Sequence, residues 1–281
     1  MKLIESMRAG VAAAVLVGAV GIGLGPAGPA AADPPGLVRV GATSASTSAD
    51  KNMTVSCPAG TVVTGGGGYL TAPAGSHLGL LSLDRLEPLN NGSGFVARMR
   101  EVHPDAGNWA LTAEAMCAPA PPGWDVVSFT QAPNTQVATV SCGNKTVIGA
   151  GGRINDGFGD VVLDHVVPSA GLTSVTVRGT VVPGTAPVGW SVTAFAVCAT
   201  VTGVQRVSFA NPPSAPGSKS ISGDCPAGTA LYGLGGAVSP GSGQVYLDLV
   251  HAIGTDTVAT RASTVGAPLP WTLFAYGICA S

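Results

Sequence analysis

Charge is what this sequence has least of. Only 10% of its 281 residues are Asp, Glu, Lys or Arg, split into 13 basic and 15 acidic side chains for a net charge of −2. So weak a charge offers no basic footprint for a phosphate backbone, and nucleic acid is not an expected partner. It also lacks the Lys/Arg clusters that hold proteins on anionic membranes. Aromatic residues are scarce too, at 5%. Beyond the N-terminal segment no apolar run reaches the roughly 18 residues of a spanning helix, so membrane insertion is not expected. No His-Glu-x-x-His, Cys-x-x-Cys, acidic calcium loop or Gly-x-Ser-x-Gly elbow occurs. Without those motifs no metal, cofactor or catalytic residue is implied, and the chain is not expected to be an enzyme.

The N-terminus carries Lys2 and Arg8, an apolar stretch over 9–24, and Ala30-Ala31-Ala32 before Asp33. This is the pattern of a secretory signal peptide over 1–32, which predicts a secreted, extracellular protein. Six cysteines, an even set, then read as disulfides rather than thiol chemistry. Glycine at 41 and proline at 22, together with alternating β-branched residues, point to many short strands joined by tight turns.

Internal repetition is the strongest signal. Cys57, Cys142 and Cys225 recur at spacings of 85 and 83 residues, and Cys117, Cys198 and Cys279 each follow a tryptophan (Trp109, Trp190, Trp271) by eight. Between them recur Thr61, Thr146 and Thr229, and a Gly-x-Gly-Gly element at 65–68, 149–152 and 233–236. Leu83-Asp84, Leu163-Asp164 and Leu247-Asp248 follow, and an arginine comes 13 or 14 residues later at Arg98, Arg178 and Arg261. These mark three β repeats over 33–120, 121–202 and 203–281. Within them the period is two, not 3.6. The fold class is all-β, with about six antiparallel strands per repeat. The repeats form either small sandwich or barrel modules or one closed, prism-like threefold assembly. Trp and Cys share a strand face because eight is even, which suggests a tryptophan ring lying against the disulfide.

Two disulfide patterns are economical. One pairs Cys57 with Cys117, Cys142 with Cys198 and Cys225 with Cys279; the other links each repeat's last cysteine to the next repeat's first. The first is preferred, since each bridge would close a loop worth on the order of 4 kcal/mol in chain entropy. The run from Ala45 to Cys57-Pro-Ala-Gly-Thr61, the glycine element and the Trp109–Cys117 strand ending in Cys-Ala resemble a repeat of secreted actinobacterial proteins of largely unknown role. The second repeat departs from that pattern, with Gly143-Asn144-Lys145 in place of Pro-Ala-Gly. Units of this kind also occur singly, so the resemblance implies self-contained modules with within-repeat disulfides. It implies no catalytic or binding residues.

Candidate sites remain. The glycine elements could cradle an anion, but no helix follows them, and a bulge or close backbone approach is the preferred reading. Asp84, Asp164 and Asp248 lie on largely apolar strands, where a carboxylate needs a partner, and Arg98, Arg178 and Arg261 are the natural ones. A structural ion pair is the first reading and a ligand site shared by the repeats the second. Trp124 stands outside the tryptophan pattern, placed to cover the junction of the first two repeats or to stack on a sugar. His77, His103, His165 and His251 do not repeat and read as loop or surface histidines. The function expected is noncatalytic binding at equivalent shallow sites, with a glycan, a cell-envelope polymer or an extracellular protein as partner. The alternative is a structural or protein-interaction role, such as an envelope component or protease inhibitor.

Overall fold

The computed structural model describes residues 36–281 except Ala74 and Ala267, so the leader expected at 1–32 lies outside it. No helix among the described residues is long and apolar enough to cross a membrane. The first repeat contributes β1 (Val38–Thr43), β2 (Lys51–Ser56), β3 (Val62–Thr71), β4 (Leu81–Pro88), β5 (Gly94–Glu101) and β6 (Ala110–Ala118). The second contributes β7 (Asp125–Thr130), β8 (Val137–Ser141), β9 (Thr146–Asn155), β10 (Val161–Pro168), β11 (Ser174–Val181) and β12 (Ser191–Ala199). The third contributes β13 (Gln205–Ala210), β14 (Ser218–Asp224), β15 (Ala230–Ser239), β16 (Tyr246–Ile253), β17 (Thr257–Ser263) and β18 (Thr272–Ala280).

These strands form three open six-stranded sheets, ordered β1-β6-β3-β16-β17-β14, β13-β18-β15-β10-β11-β8 and β2-β5-β4-β9-β12-β7. Every sheet therefore takes three strands from one repeat and three from another. Each repeat divides between two sheets, its first, third and sixth strands in one and its second, fourth and fifth in the next. The repeats close a cycle although no sheet does, and the described residues form one compact unit. Self-contained modules are thus not what the chain builds, because no repeat owns a whole sheet. The disulfides join Cys57 to Cys117, Cys142 to Cys198 and Cys225 to Cys279, with Cα atoms 5.6–5.7 Å apart. Each ties the end of a repeat's second strand to its sixth, stapling two sheets at the repeat's corner.

The glycine elements explain how the cycle closes. In each repeat the third strand carries a bulge just before the element, at Thr64, Ile148 and Tyr232. A Cβ on Gly149 would lie 1.9 Å from the Thr64 carbonyl oxygen, one on Gly233 2.6 Å from that of Ile148, and one on Gly65 2.5 Å from that of Tyr232. The three bulges thus touch the three first glycines in a ring, and only a residue without a side chain fits there.

Trp109, Trp190 and Trp271 are buried at 0%, 2% and 1% exposure. They do not lie against the disulfide of their own strand, as the shared face suggested. Eight residues of extended chain separate Trp from Cys by roughly 26 Å, so the two mark opposite ends of the sixth strand. Instead the ammonium groups of Lys51 and Lys219 sit over Trp109 and Trp271, 4.1 and 4.5 Å from the ring centroids.

Candidate functional site

The threefold carboxylates come first. Asp84, Asp164 and Asp248 are 3%, 0% and 1% exposed, and each is the extra residue of a bulge in its strand. The bulge turns the side chain toward the arginine on the adjacent strand. Arg98 Nε donates to Asp84 Oδ1 at 2.7 Å, Arg178 Nε to Asp164 Oδ1 at 2.8 Å and Arg261 Nε to Asp248 Oδ1 at 2.6 Å. The residue two positions further on supplies a donor to the second oxygen: Arg100 Nε at 2.8 Å, Thr180 Oγ1 at 2.7 Å, and Ser263 Oγ. Burial pushes all three carboxyls above the ordinary carboxylate range, and the arginine beside each opposes that shift.

Two of the arginines also fasten the repeats together. Arg98 Nη2 donates to the Ile154 carbonyl at 2.9 Å and Arg178 Nη2 to that of Val238 at 3.0 Å, in each case on the neighbouring repeat. These bonds add to seams that each show only two paired residues on either side. The pairs of Asp84, Asp164 and Asp248 with Arg98, Arg178 and Arg261 tie the fourth strand of each repeat to its fifth, with both carboxylate oxygens already occupied, and two of them extend across a seam.

Trp124 is half-buried between the first two repeats, its Nε1 donating to the Val63 carbonyl at 2.9 Å and its ring against Gly92. It also belongs to the repeat after all. Gly36-Leu37, Gly123-Trp124 and Gly203-Val204 each stand two residues before the repeat's first strand, every glycine with positive φ. Trp124 is the bulky member of a packing position.

Where the repeats differ, the seams diverge. Arg85 faces Arg153 across the first seam, whereas the corresponding pairs are His165 with Ala237 and Leu249 with Tyr69. Arg85, Arg98, Arg100 and Arg153 converge with Asn155, Asp156 and Phe158 on an open cleft of about 260 Å³. A single oxygen of Glu87 holds the facing pair, accepting from Arg85 Nε at 2.7 Å and from Arg153 Nη1 at 2.9 Å. Arg100 Nη1 donates to Asp50 at 2.7 Å. Above them Phe158 is 70% exposed, with φ of 46° and the Arg100 guanidinium 5.5 Å from its ring centroid. The following Gly159, at φ 92°, anchors this loop: a Cβ there would lie 2.2 Å from the Glu101 carbonyl oxygen.

Sequence reading missed this cleft, because Arg85, Arg100, Arg153 and Phe158 occupy positions that do not repeat. The anchoring glycine does repeat: Gly79, Gly159 and Gly243 stand five residues before the threefold aspartates and close against the neighbouring repeat. That spacing was the available signal for the loop. No protein-family model matches the chain, and comparison with curated proteins finds no match to it.

Proposed function

We propose that this is an extracellular, noncatalytic binding protein that recognises a glycan or cell-envelope polymer. The observation that carries this reading is the donor-rich cleft on the seam between the first two repeats. It combines an open, polar surface with an exposed aromatic ring, the pairing of apolar face and convergent polar groups that ligand sites use. A scaffold closed by three disulfides suits an oxidising exterior. The threefold Asp/Arg pairs are assigned to the scaffold, so the proposal rests on one distinctive face rather than three equivalent ones.

The test is retention of the oxidised protein on purified cell wall and on a panel of polysaccharides. Saturable retention, weakened by Phe158→Ser with the fold unchanged, is the expected result. Absence of retention on any polymer, with stoichiometric capture of one extracellular protein instead, would replace this reading with a protein-interaction role.

A further inference from the structure

The cleft between the first two repeats has more guanidinium donors than its bonded acceptors occupy. Arg85 and Arg153 stand directly opposite one another, an arrangement of like charges that destabilises a sheet unless an anion lies between them. Glu87 supplies one carboxylate for two guanidiniums. Asp84 is likewise shared between Arg98 and Arg100. Among the described residues both Nη groups of Arg85, Nη1 of Arg98, Nη2 of Arg100 and Nη2 of Arg153 make no hydrogen bond. The arginine side chains are 20–30% exposed, so these N–H groups open onto solvent. Asp156, exposed at the rim, is the one carboxylate of the cleft that no arginine holds.

Phe158 adds the second element. A non-glycine residue at φ 46° is strained, and here the strain holds a large apolar ring out in water instead of burying it. Backbone strain of this kind persists where the surroundings enforce it, and it collects at ligand clamps. The next residue, Gly159, is wedged against the Glu101 carbonyl of the neighbouring repeat.

We propose that this cleft binds an anionic polysaccharide: a carboxylate or phosphate group accepts from the Nη groups of Arg85 and Arg153 that Glu87 leaves free, and a sugar ring packs on Phe158. The idea rests on the binding role proposed above and narrows its ligand class. A planar guanidinium fork matches carboxylate and phosphate oxygens, and the shared acceptor chemistry covers both uronate and phosphodiester polymers.

The experiment measures binding of the oxidised protein to polygalacturonate, to poly(glycerol phosphate) and to uncharged dextran at low and high salt. The expected result is binding to one or both polyanions that exceeds binding to dextran and weakens with salt. The polyanion that binds identifies carboxylate or phosphate as the group read. Arg85→Gln and Phe158→Ser should each weaken it roughly tenfold, and Lys145→Ala, on an exposed pair elsewhere, should not. Phe158 is exposed, so its variant keeps the test open if Arg85→Gln disturbs the seam. Equal binding to dextran, or polyanion binding unchanged in both variants, overturns the inference. Retention on cell wall with no polyanion binding overturns it while leaving the broader binding role standing; no retention on anything overturns both.

Discussion

Asp164 has no solvent to fall back on: it is fully buried, and three donors from Arg178 and Thr180 occupy its two oxygens. Removing the carboxylate strands the Arg178 charge at the seam, and breaking a buried pair in this way costs about 3–5 kcal/mol. Asp164→Ala is therefore expected to lower the unfolding free energy read from a urea titration by that much. Asp164→Leu combined with Arg178→Met should recover most of the loss, because replacing both partners by apolar groups is often neutral. A carboxylate serving only a ligand would show neither effect. His165, the next residue, is held neutral: burial, then the Arg178 charge, lowers its pKa to about 4, against a hydrogen bond to the Asp164 carbonyl that favours the charged form. The unfolded chain takes up this proton near pH 6.5 and the folded protein only near pH 4. Stability is thus full above about pH 6.5, falls by up to about 3 kcal/mol as pH drops toward 4, and loses nothing more from this group below that. The raised carboxyls of Asp84, Asp164 and Asp248 act in the opposite sense, favouring the folded state as pH falls. The difference between wild type and His165→Gln, read as Tm against pH, isolates the histidine.

The third strands show what a repeat pattern encodes and what it hides. Gly149 meets the Thr64 carbonyl across a repeat boundary, so Gly149→Ala is expected to cost more than 4 kcal/mol or to prevent folding. Gly171, with nothing near its Cβ position, should accept alanine with a change within about 0.5 kcal/mol, measured in the same denaturant titration. Strand number, strand period and the special positions were legible because each recurs: Trp109, Cys117, Gly65, Asp84 and Arg98 all have two counterparts. Partnership between strands was not. Alternation with period two says which face a residue takes, not which strand lies beside it, so β4 against β9 could not be read from either segment. The cleft was hidden for the converse reason. Arg85 and Arg153 are far apart in sequence, do not repeat, and meet only because the sheets are shared between repeats.

Shared sheets make the three repeats one cooperative unit. A single repeat, such as 121–202, would leave β9 without β4 and β10 without β15, each an unpaired edge. It would also expose the apolar surface that the neighbouring repeats cover, in a piece too small to offset the loss with one disulfide. That fragment is expected to be unfolded as a monomer by circular dichroism, even when oxidised. The same linkage governs the bridges. Each disulfide ties together the two halves that one repeat lends to different sheets, so the Cys142→Ala/Cys198→Ala double variant loosens a corner on which two sheets depend. It should lower global stability by about 2–5 kcal/mol, in one transition that fluorescence of the tryptophans in all three repeats reports together. Independent modules would instead show two transitions, with the first and third repeats melting as in wild type, and that outcome would refute the closed cycle.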